Sequence, residues 1–314
     1  MRIFVAGATG AIGKRLVPLL VARGHHVVAS TRTASNTKQL RAEGAEPVVL
    51  DGLEKDAVLK AVITSHPEAI VHQMTALASM RSLKNFDRDF ALTNRLRTEG
   101  TQHLIAAARE AGTRKLVVQS YTGWPNAREG NRVKTENDPL DPDPPKAMAR
   151  SLTAIHALES LVANVSDIAG TVLRYGSLYG PGTSVSPQGD IVRLVRQRKF
   201  PVIGDGSGVW SFVHVDDAAT ATQLAIESPI TGTYNIVDDD PAEVSVWLPE
   251  LVRAIGAKPP RHLPAWLGRL AMGDSGLSMM TKIRGSSNAK AKGILGWRPA
   301  HASWRQGFFA MRGD

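Results

Sequence analysis

Over the first 120 residues, short apolar runs alternate with amphipathic stretches. The run at 2–6 (RIFVA) leads through glycines into an amphipathic stretch at 12–23, and 26–30 (HVVAS) is the next run. A run at 47–50 precedes a helical stretch near 55–64. The run at 69–72 (AIVH) precedes a long helix over roughly 88–111, and 115–120 (KLVVQS) closes the series. Continuously apolar strands separated by helices are the pattern of βαβ units, whose parallel strands are buried on both faces. Right-handed crossovers then place helices on both sides. The expected fold class is α/β, a doubly wound parallel sheet.

The pattern changes at 121–147. Residues 137–145 (NDPLDPDPP) hold four prolines and three aspartates, which neither a helix nor a central strand accommodates. A long ordered loop or a lid is expected there, because loops of this length in compact domains tend to serve a site. Helical spacing resumes at 147–163, and 171–174 reads as another strand. Beyond about 176, glycine turns, strands and short helices follow less regularly. The chain is expected to divide into a sheet domain at 1–175 and a smaller part at 176–314, packed on the sheet's C-terminal edge.

Charge and composition narrow the picture. Lys and Arg number 38 against 29 Asp and Glu, a formal charge of +9, yet aromatic residues are only 5%. The basic residues are dispersed, with no run of five. Nucleic-acid binders concentrate charge on one face and add stacking aromatics, so no nucleic-acid partner is expected. The chain has no cysteine, which excludes disulfides, a thiolate nucleophile and cysteine-based metal centres. No two histidines stand at i, i+4 beside a carboxylate, so no metal site is expected. No apolar run reaches the roughly 18 residues of a membrane span. The N-terminus MRIFVAGATG lacks a signal-peptide core. No membrane association is expected, and the cytoplasm is the default location.

Candidate chemistry begins between the first strand and the first helix, at Gly7-Ala8-Thr9-Gly10-Ala11-Ile12-Gly13. Glycines at this spacing allow a tight turn, a close backbone approach to a pyrophosphate, and close helix–strand packing. The anion sits at the helix N-terminus, where free N–H groups and the helix dipole favour it. Gly7, Thr9, Gly10, Ala11, Ile12 and Gly13 are the candidate contacts. After the second strand an acidic residue would bind the adenosine ribose hydroxyls of NAD. Here Ser30-Thr31-Arg32 stands instead. Arg32 offers charge-assisted bonds to a 2′-phosphate and a plane to stack on adenine, which favours NADP, with NAD the alternative. Asp51, after the third strand, either reaches the adenine amine or caps the next turn.

These residues resemble the short-chain dehydrogenase/reductase superfamily, in its extended, NAD-dependent epimerase/dehydratase-like branch, over almost the whole chain. Gly7–Gly13 is similar to its cofactor turn. Asp51-Gly52-Leu53 resembles its adenine-side Asp-x-Leu, and the segment from His72 to Ala76 its loop after strand four. Asn94 matches the Asn of its long helix, and 115–120 resembles strand five ending on the active-site Ser, here Ser120. Residues 173–182 (LRYGSLYGPG), 211–219 (SFVHVDDAA), Tyr234-Asn235 and the segments at 287–290 and 295–299 follow in the family's order. The resemblance implies a Rossmann sheet domain that binds NAD(P) through the turn and through Arg32, Asp51, Gly52, His72 and Asn94. It also implies a C-terminal substrate-binding part, a small-molecule substrate and a homodimer through helices four and five.

One departure is plain. The family's Tyr-x-x-x-Lys pair delivers or removes a proton, with the Lys lowering the phenol's pKa and holding the nicotinamide ribose. Counting back from Glu159, the Lys position is Ile155 and the Tyr position is Ser151. No Lys occurs between 147 and 198, and none of Tyr121, Tyr175, Tyr179 and Tyr234 has a Lys four residues later. The remaining catalytic candidates are Ser120, which could polarise a carbonyl, and Tyr121 and Tyr175 as proton donors. His72 and His214 read as structural alternatives. Asp216-Asp217 read as a helix start, and 238–240 as a solvated turn. Thr122, Trp124, Tyr179 and Trp210 are candidates to line an apolar substrate pocket. The expected activity is NADPH-linked reduction or oxidation of a small carbonyl-type substrate with a non-standard proton donor. The alternatives are a redox-neutral epimerase, dehydratase or isomerase, and a non-catalytic NAD(P)-binding sensor.

Overall fold

The computed structural model describes residues 1–77 and 85–311. The apolar runs of the first half form strands and the amphipathic stretches form helices. In chain order these are β1 (Arg2–Ala6), α1 (Gly13–Ala22), β2 (His26–Thr31), α2 (Thr37–Ala42), β3 (Glu46–Val49), α3 (Lys55–Ser65) and β4 (Ala69–His72). A helical column follows, made of α4 (Phe86–Asp89), α5 (Ala91–Arg95), a π turn (Leu96–Gly100) and α6 (Thr101–Ala111). Next come β5 (Lys115–Tyr121), β6 (Val133–Lys134), α7 (Ala149–Ala163), β7 (Ala169–Tyr175), β8 (Ser177–Tyr179) and α8 (Asp190–Arg196). Then follow β9 (Val202–Ile203), β10 (Val209–Trp210), β11 (Phe212–His214), α9 (Val215–Glu227), β12 (Gly232–Ile236), β13 (Ala242–Glu243) and α10 (Val244–Ala254). The last elements are β14 (His262–Leu263), α11 (Ala265–Thr281), β15 (Gly285–Ser286) and α12 (Trp304–Ala310).

Seven strands form the central sheet in the order β12-β7-β5-β4-β1-β2-β3, all parallel. The strand order reverses between β1 and β4, and ligands of such sheets bind in the crevice outside the carboxyl ends there. One face is covered by α1 and α9, which pack Leu16, Val17 and Leu20 with Ala218, Ala221 and Ala225. The other is covered by α3, α6 and α7, through Val58, Leu104 and Leu158. A third, aromatic core holds Phe212, Trp247, Trp304 and Phe308. The chain beyond 176 thus supplies most of this core, which also takes in Phe86, Phe90, Trp124 and Ile155, and, through α9 and β12, part of the sheet domain itself.

The 121–147 segment is ordered by contacts to residues far along the chain. Its β6 pairs with β15, and Asn126 bridges to Leu140. Thr122 Oγ1 lies 2.6 Å from Ser286 Oγ, and Asn126 Nδ2 donates to the same oxygen at 3.0 Å.

The acids at 238–240 are not a solvated turn. Asp238 is 1% exposed; its carboxylate accepts the N–H groups of Asp240 at 3.2 Å and Trp304 at 2.7 Å. Burial pushes its pKa up to about 8. Asp240 accepts from Ser303 Oγ and Arg305 Nε, and Asp239 from Asn288 and Lys292. Asp238 and Asp240 anchor α12 while Asp239 holds the segment at 288–292, and sequence spacing has no means of placing these segments over them.

Candidate active site

The glycine turn leaves β1 with Gly7 at φ +91°. A Cβ at Gly7 would lie 2.7 Å from the backbone of Gln73, and one at Gly13 would lie 2.5 Å from the carbonyls of Gly7 and Ala8. Gly10 has only the Gly7 carbonyl nearby, at 3.5 Å. The Gly7 N–H donates to Ser30 Oγ at 3.2 Å, which ties the turn to the end of β2. Thr9 Oγ1 stands 3.5 Å from Thr31 Oγ1. Helix α1 begins beyond Ala11 and Ile12 with no side-chain cap and no acid in its first turn. Its N-terminal groups and dipole are therefore open to an anion, and the two crowded glycines shape a cradle that side chains would fill.

Around this turn the expected residues divide. Arg32 is exposed just after β2. Asp51 is exposed and its Oδ1 accepts the Leu53 N–H at 3.0 Å, so it caps its own turn. Gly52 lies against Met74, whose sulfur would be 2.3 Å from an added Cβ. His72 is fully buried, with Nε2 at 3.1 Å from the Leu96 carbonyl and Nδ1 accepting the Met74 N–H at 3.2 Å. Burial holds its pKa down to about 4, and both nitrogens are spent on shaping the loop after β4.

At the carboxyl ends of β5 and β7 stands a buried polar network. Ser120 Oγ donates to Glu159 Oε1 at 2.7 Å. Arg174 grips the same carboxylate in a bidentate pair, at 2.8 and 2.6 Å. Ser120 thus commits its proton to α7. Tyr121, at the end of β5, lies 2.9 Å from Ser177 Oγ through its hydroxyl, and burial raises its pKa. Trp124 is 6% exposed and packs edge-on to Phe86, which stacks on Phe90.

The positions to which spacing assigns the missing pair are built differently. Ser151 Oγ donates to Asp87 Oδ1 at 2.6 Å and accepts from Asn94 Nδ2 at 3.0 Å. Ile155 is fully buried. Asn94 Oδ1 in turn accepts from Arg97 at 3.2 Å. Sequence reading misses Arg97, since an arginine on a helix ordinarily reads as solvated. It is 7% exposed, and its guanidinium lies 5.8 Å from the Phe90 ring centre. Burial lowers its pKa to about 10, against the raising charges of Glu159 and Tyr121.

Three expected residues lie away from this cluster. Tyr175 turns into the face under α1 and α9. It accepts from Gln73 Nε2 at 3.0 Å and lies 2.6 Å from Thr222 Oγ1, which itself donates to the Ala218 carbonyl. The Tyr175 proton therefore points to Thr222, and burial raises its pKa to about 12; it is not placed to serve as donor. Tyr179 is fully buried among Phe212 and Phe308, with Gly307 too close to admit a Cβ. Trp210 donates to the Met279 carbonyl at 2.9 Å and packs on Trp247. Both are core aromatics rather than pocket walls, a difference of strand face that the sequence does not display. His214, Asp217 and His301 converge within 4.8 Å. The Asp217 carboxylate is occupied by the N–H groups of Ala300 and His301 and by His301 Nδ1.

Comparisons with known proteins agree with this architecture. The model of the NAD dependent epimerase/dehydratase family matches residues 3–237. The chain is 47% identical over 308 residues to a protein named 3-diazoavenalumate denitrifying reductase from a Streptomyces species, covering 98% of this chain and 99% of the relative. It is 28% identical over 268 residues to the 2-alkyl-3-oxoalkanoate reductase of Stenotrophomonas maltophilia, covering 82% of this chain and 76% of the relative. Its fold superposes on the UDP-glucose 4-epimerase of Thermus thermophilus, solved with NAD, at a TM-score of 0.74 and 27% identity, covering 100% and 98% of the two chains. The chain belongs to the NAD-dependent epimerase/dehydratase family, within the extended short-chain dehydrogenase/reductase superfamily.

Proposed function

We propose that this protein is an NADPH-dependent reductase that replaces the diazo group of an organic acid with hydrogen, releasing dinitrogen. The nicotinamide-dependent oxidoreductase assignment follows from the family and from its reductase relatives. The diazo substrate comes from the relative of 47% identity. One observation carries the reading: the proton-relay positions hold Ser151, spent between Asp87 and Asn94, and a fully buried Ile155.

Reduction of a carbonyl needs a proton at the developing alkoxide, which is what a tuned phenol supplies. Replacement of a diazonium group by hydride needs none; a neutral diazo group takes its one proton from solvent before that step. With the substrate written as its diazonium form, R–N₂⁺ + NADPH → R–H + N₂ + NADP⁺. The carbon–nitrogen bond breaks with its electron pair leaving on dinitrogen. The new C–H bond takes both electrons from the hydride, which the reduced nicotinamide supplies when bound. No alkoxide forms, so a site without a phenol–ammonium pair suffices.

The chain's own residues bind and orient. The Gly7–Gly13 cradle and the uncapped start of α1 receive the pyrophosphate. Arg32 follows β2 where an acid would favour the free ribose hydroxyls of NAD, which supports NADP over NAD. The Ser120–Glu159–Arg174 network fixes the ends of β5 and β7, at the carboxyl edge of the sheet. Tyr121 and Trp124 pack together after β5, with Phe86 buried behind Trp124, and would present apolar ground to a substrate.

The test is a panel of diazonium-substituted benzoates and 3-oxoalkanoates with NADPH, following cofactor absorbance and evolved gas. One dinitrogen per NADPH oxidised, from the diazonium acids, is expected. Oxidation with the 3-oxoalkanoates alone, or NADPH loss without dinitrogen, refutes the reading.

A further inference from the structure

Two guanidinium groups, Arg97 and Arg174, are buried near Glu159 of α7, and its carboxylate pairs with only one of them. Arg174 holds Glu159 in a bidentate pair, with side-chain exposures of 9% and 11%. Ser120 occupies the same carboxylate from a third direction. Arg97, 7% exposed, feels the charge of Glu159 but forms no ion pair with it. Among the described residues its hydrogen bonding is one contact, to Asn94 Oδ1 at 3.2 Å. From there the hydrogen bonds run through Asn94 and Ser151 to the Asp87 carboxylate, which is spent on the Arg150 and Ser151 N–H groups and the Ser151 hydroxyl.

A guanidinium carries five N–H donors. Arg97 gives one of them to Asn94, and none of its nitrogens is both enclosed and unpartnered, so the remaining donors face space that a partner can reach. The missing complement is an anion of single charge. A planar fork matches a carboxylate in bidentate fashion. The surroundings suit a flat apolar body, since Arg97 lies against the Phe90 face and Phe90 stacks on Phe86, which meets Trp124. The cofactor's own pyrophosphate has the cradle at α1.

We propose that Arg97 is a substrate-binding residue that pairs with the carboxylate of a flat, unsaturated acid, whose apolar body lies against the Phe86–Phe90–Trp124 cluster. The proposal rests on the reductase reading for the identity of the reacting partner, but its charge requirement is tested without turnover.

Cinnamate and its methyl ester serve as probes, titrated by calorimetry into the protein loaded with oxidised NADP. Cinnamate is expected to bind the wild type on the order of tenfold or more tighter than the ester. Arg97→Gln, which can keep the bond to Asn94, should abolish that preference and leave ester affinity and NADPH affinity within about twofold. Arg97→Lys should retain part of it. Should Arg97→Gln fail to fold, the wild-type preference and its partial retention in Arg97→Lys decide the matter. Equal binding of acid and ester, binding of neither, an unchanged preference in the Gln variant, or a loss confined to NADPH affinity would overturn the assignment. Inactivity toward diazonium acids with the acid preference intact would sink the reaction proposed above and leave this pairing standing.

Discussion

Arg32 and Asp238 show how differently single charged residues act in this chain. Arg32 is exposed beyond β2, beside the turn that Ser30 ties to Gly7. Arg32→Ala should weaken NADPH binding by about tenfold and leave NADH binding nearly unchanged, since a charge-assisted phosphate contact is what it removes. Fluorescence titration with both cofactors checks this, and equal wild-type affinities would dispose of the NADP preference. Asp238 is buried and its pKa stands at about 8, above the 3.8 of an unfolded aspartate. Its raised value means that the folded state holds a proton which the unfolded state lacks, so this contribution to stability falls as pH rises from about 4 through 8. His72, lowered to about 4 from 6.5, acts in the opposite sense, and only below 6.5. Between pH 6.5 and 8 the Asp238 term is therefore unopposed by His72. Thermal melts should show the wild type losing up to about 1.4 kcal/mol per pH unit there relative to Asp238→Asn. Parallel curves for the two proteins would show that the carboxyl is already ionised.

At the scale of elements, the cofactor turn is legible because its cause is local. A strand, glycines at 7, 10 and 13, and a helix suffice, and the geometry shows why each crowded glycine is needed. Gly7→Ala would force a Cβ into the Gln73 backbone at a φ of +91°, which L side chains avoid. The expected cost is on the order of 2 kcal/mol or more, from combined strain and clash. A urea melt reads that cost, and NADPH affinity should fall by more than tenfold because the turn must shift. A stable variant with unaltered affinity would mean that the turn is not the cradle. The helix over 88–111 is legible as a long helical stretch, but its interior is not. A π turn at Leu96–Gly100 interrupts it, and Arg97 within that turn is buried rather than solvated. Helical spacing shows which residues share a face; it does not show that α7 will close over one of them. Tyr175, Tyr179 and Trp210 depart from expectation for the same reason. Strand alternation names two faces without saying which one meets the crevice.

Across the whole molecule, the doubly wound parallel sheet is legible in the sequence, while the closing of the C-terminal part is not. Segments 212–214, 238–240 and 300–311 meet in one aromatic core with no local signal of their meeting. Trp304 is its centre: fully buried, donating to the Asp240 carbonyl at 2.8 Å, and packed on Phe212 and Phe308. Trp304→Ala should cost about 3–5 kcal/mol by cavity formation, measured by denaturant melts. It should also weaken the anchoring of Asp238, so the pH dependence between 6.5 and 8 should shrink with it. A loss below about 1 kcal/mol would show that α12 is dispensable to that core.

Helix α1 owes its cover to α9, and β7 owes its outer neighbour to β12. Both arrive late in the order of synthesis. At roughly 5–20 residues per second a ribosome takes on the order of 10–40 s to reach them after α1 has emerged. Through that interval the nascent chain carries an apolar helix face open to water, and once residue 175 has emerged it also carries a β7 edge without a partner. Fragments released before residues 215–236 are made would be bound by chaperones or would aggregate, whereas the completed chain covers both surfaces with its own later residues.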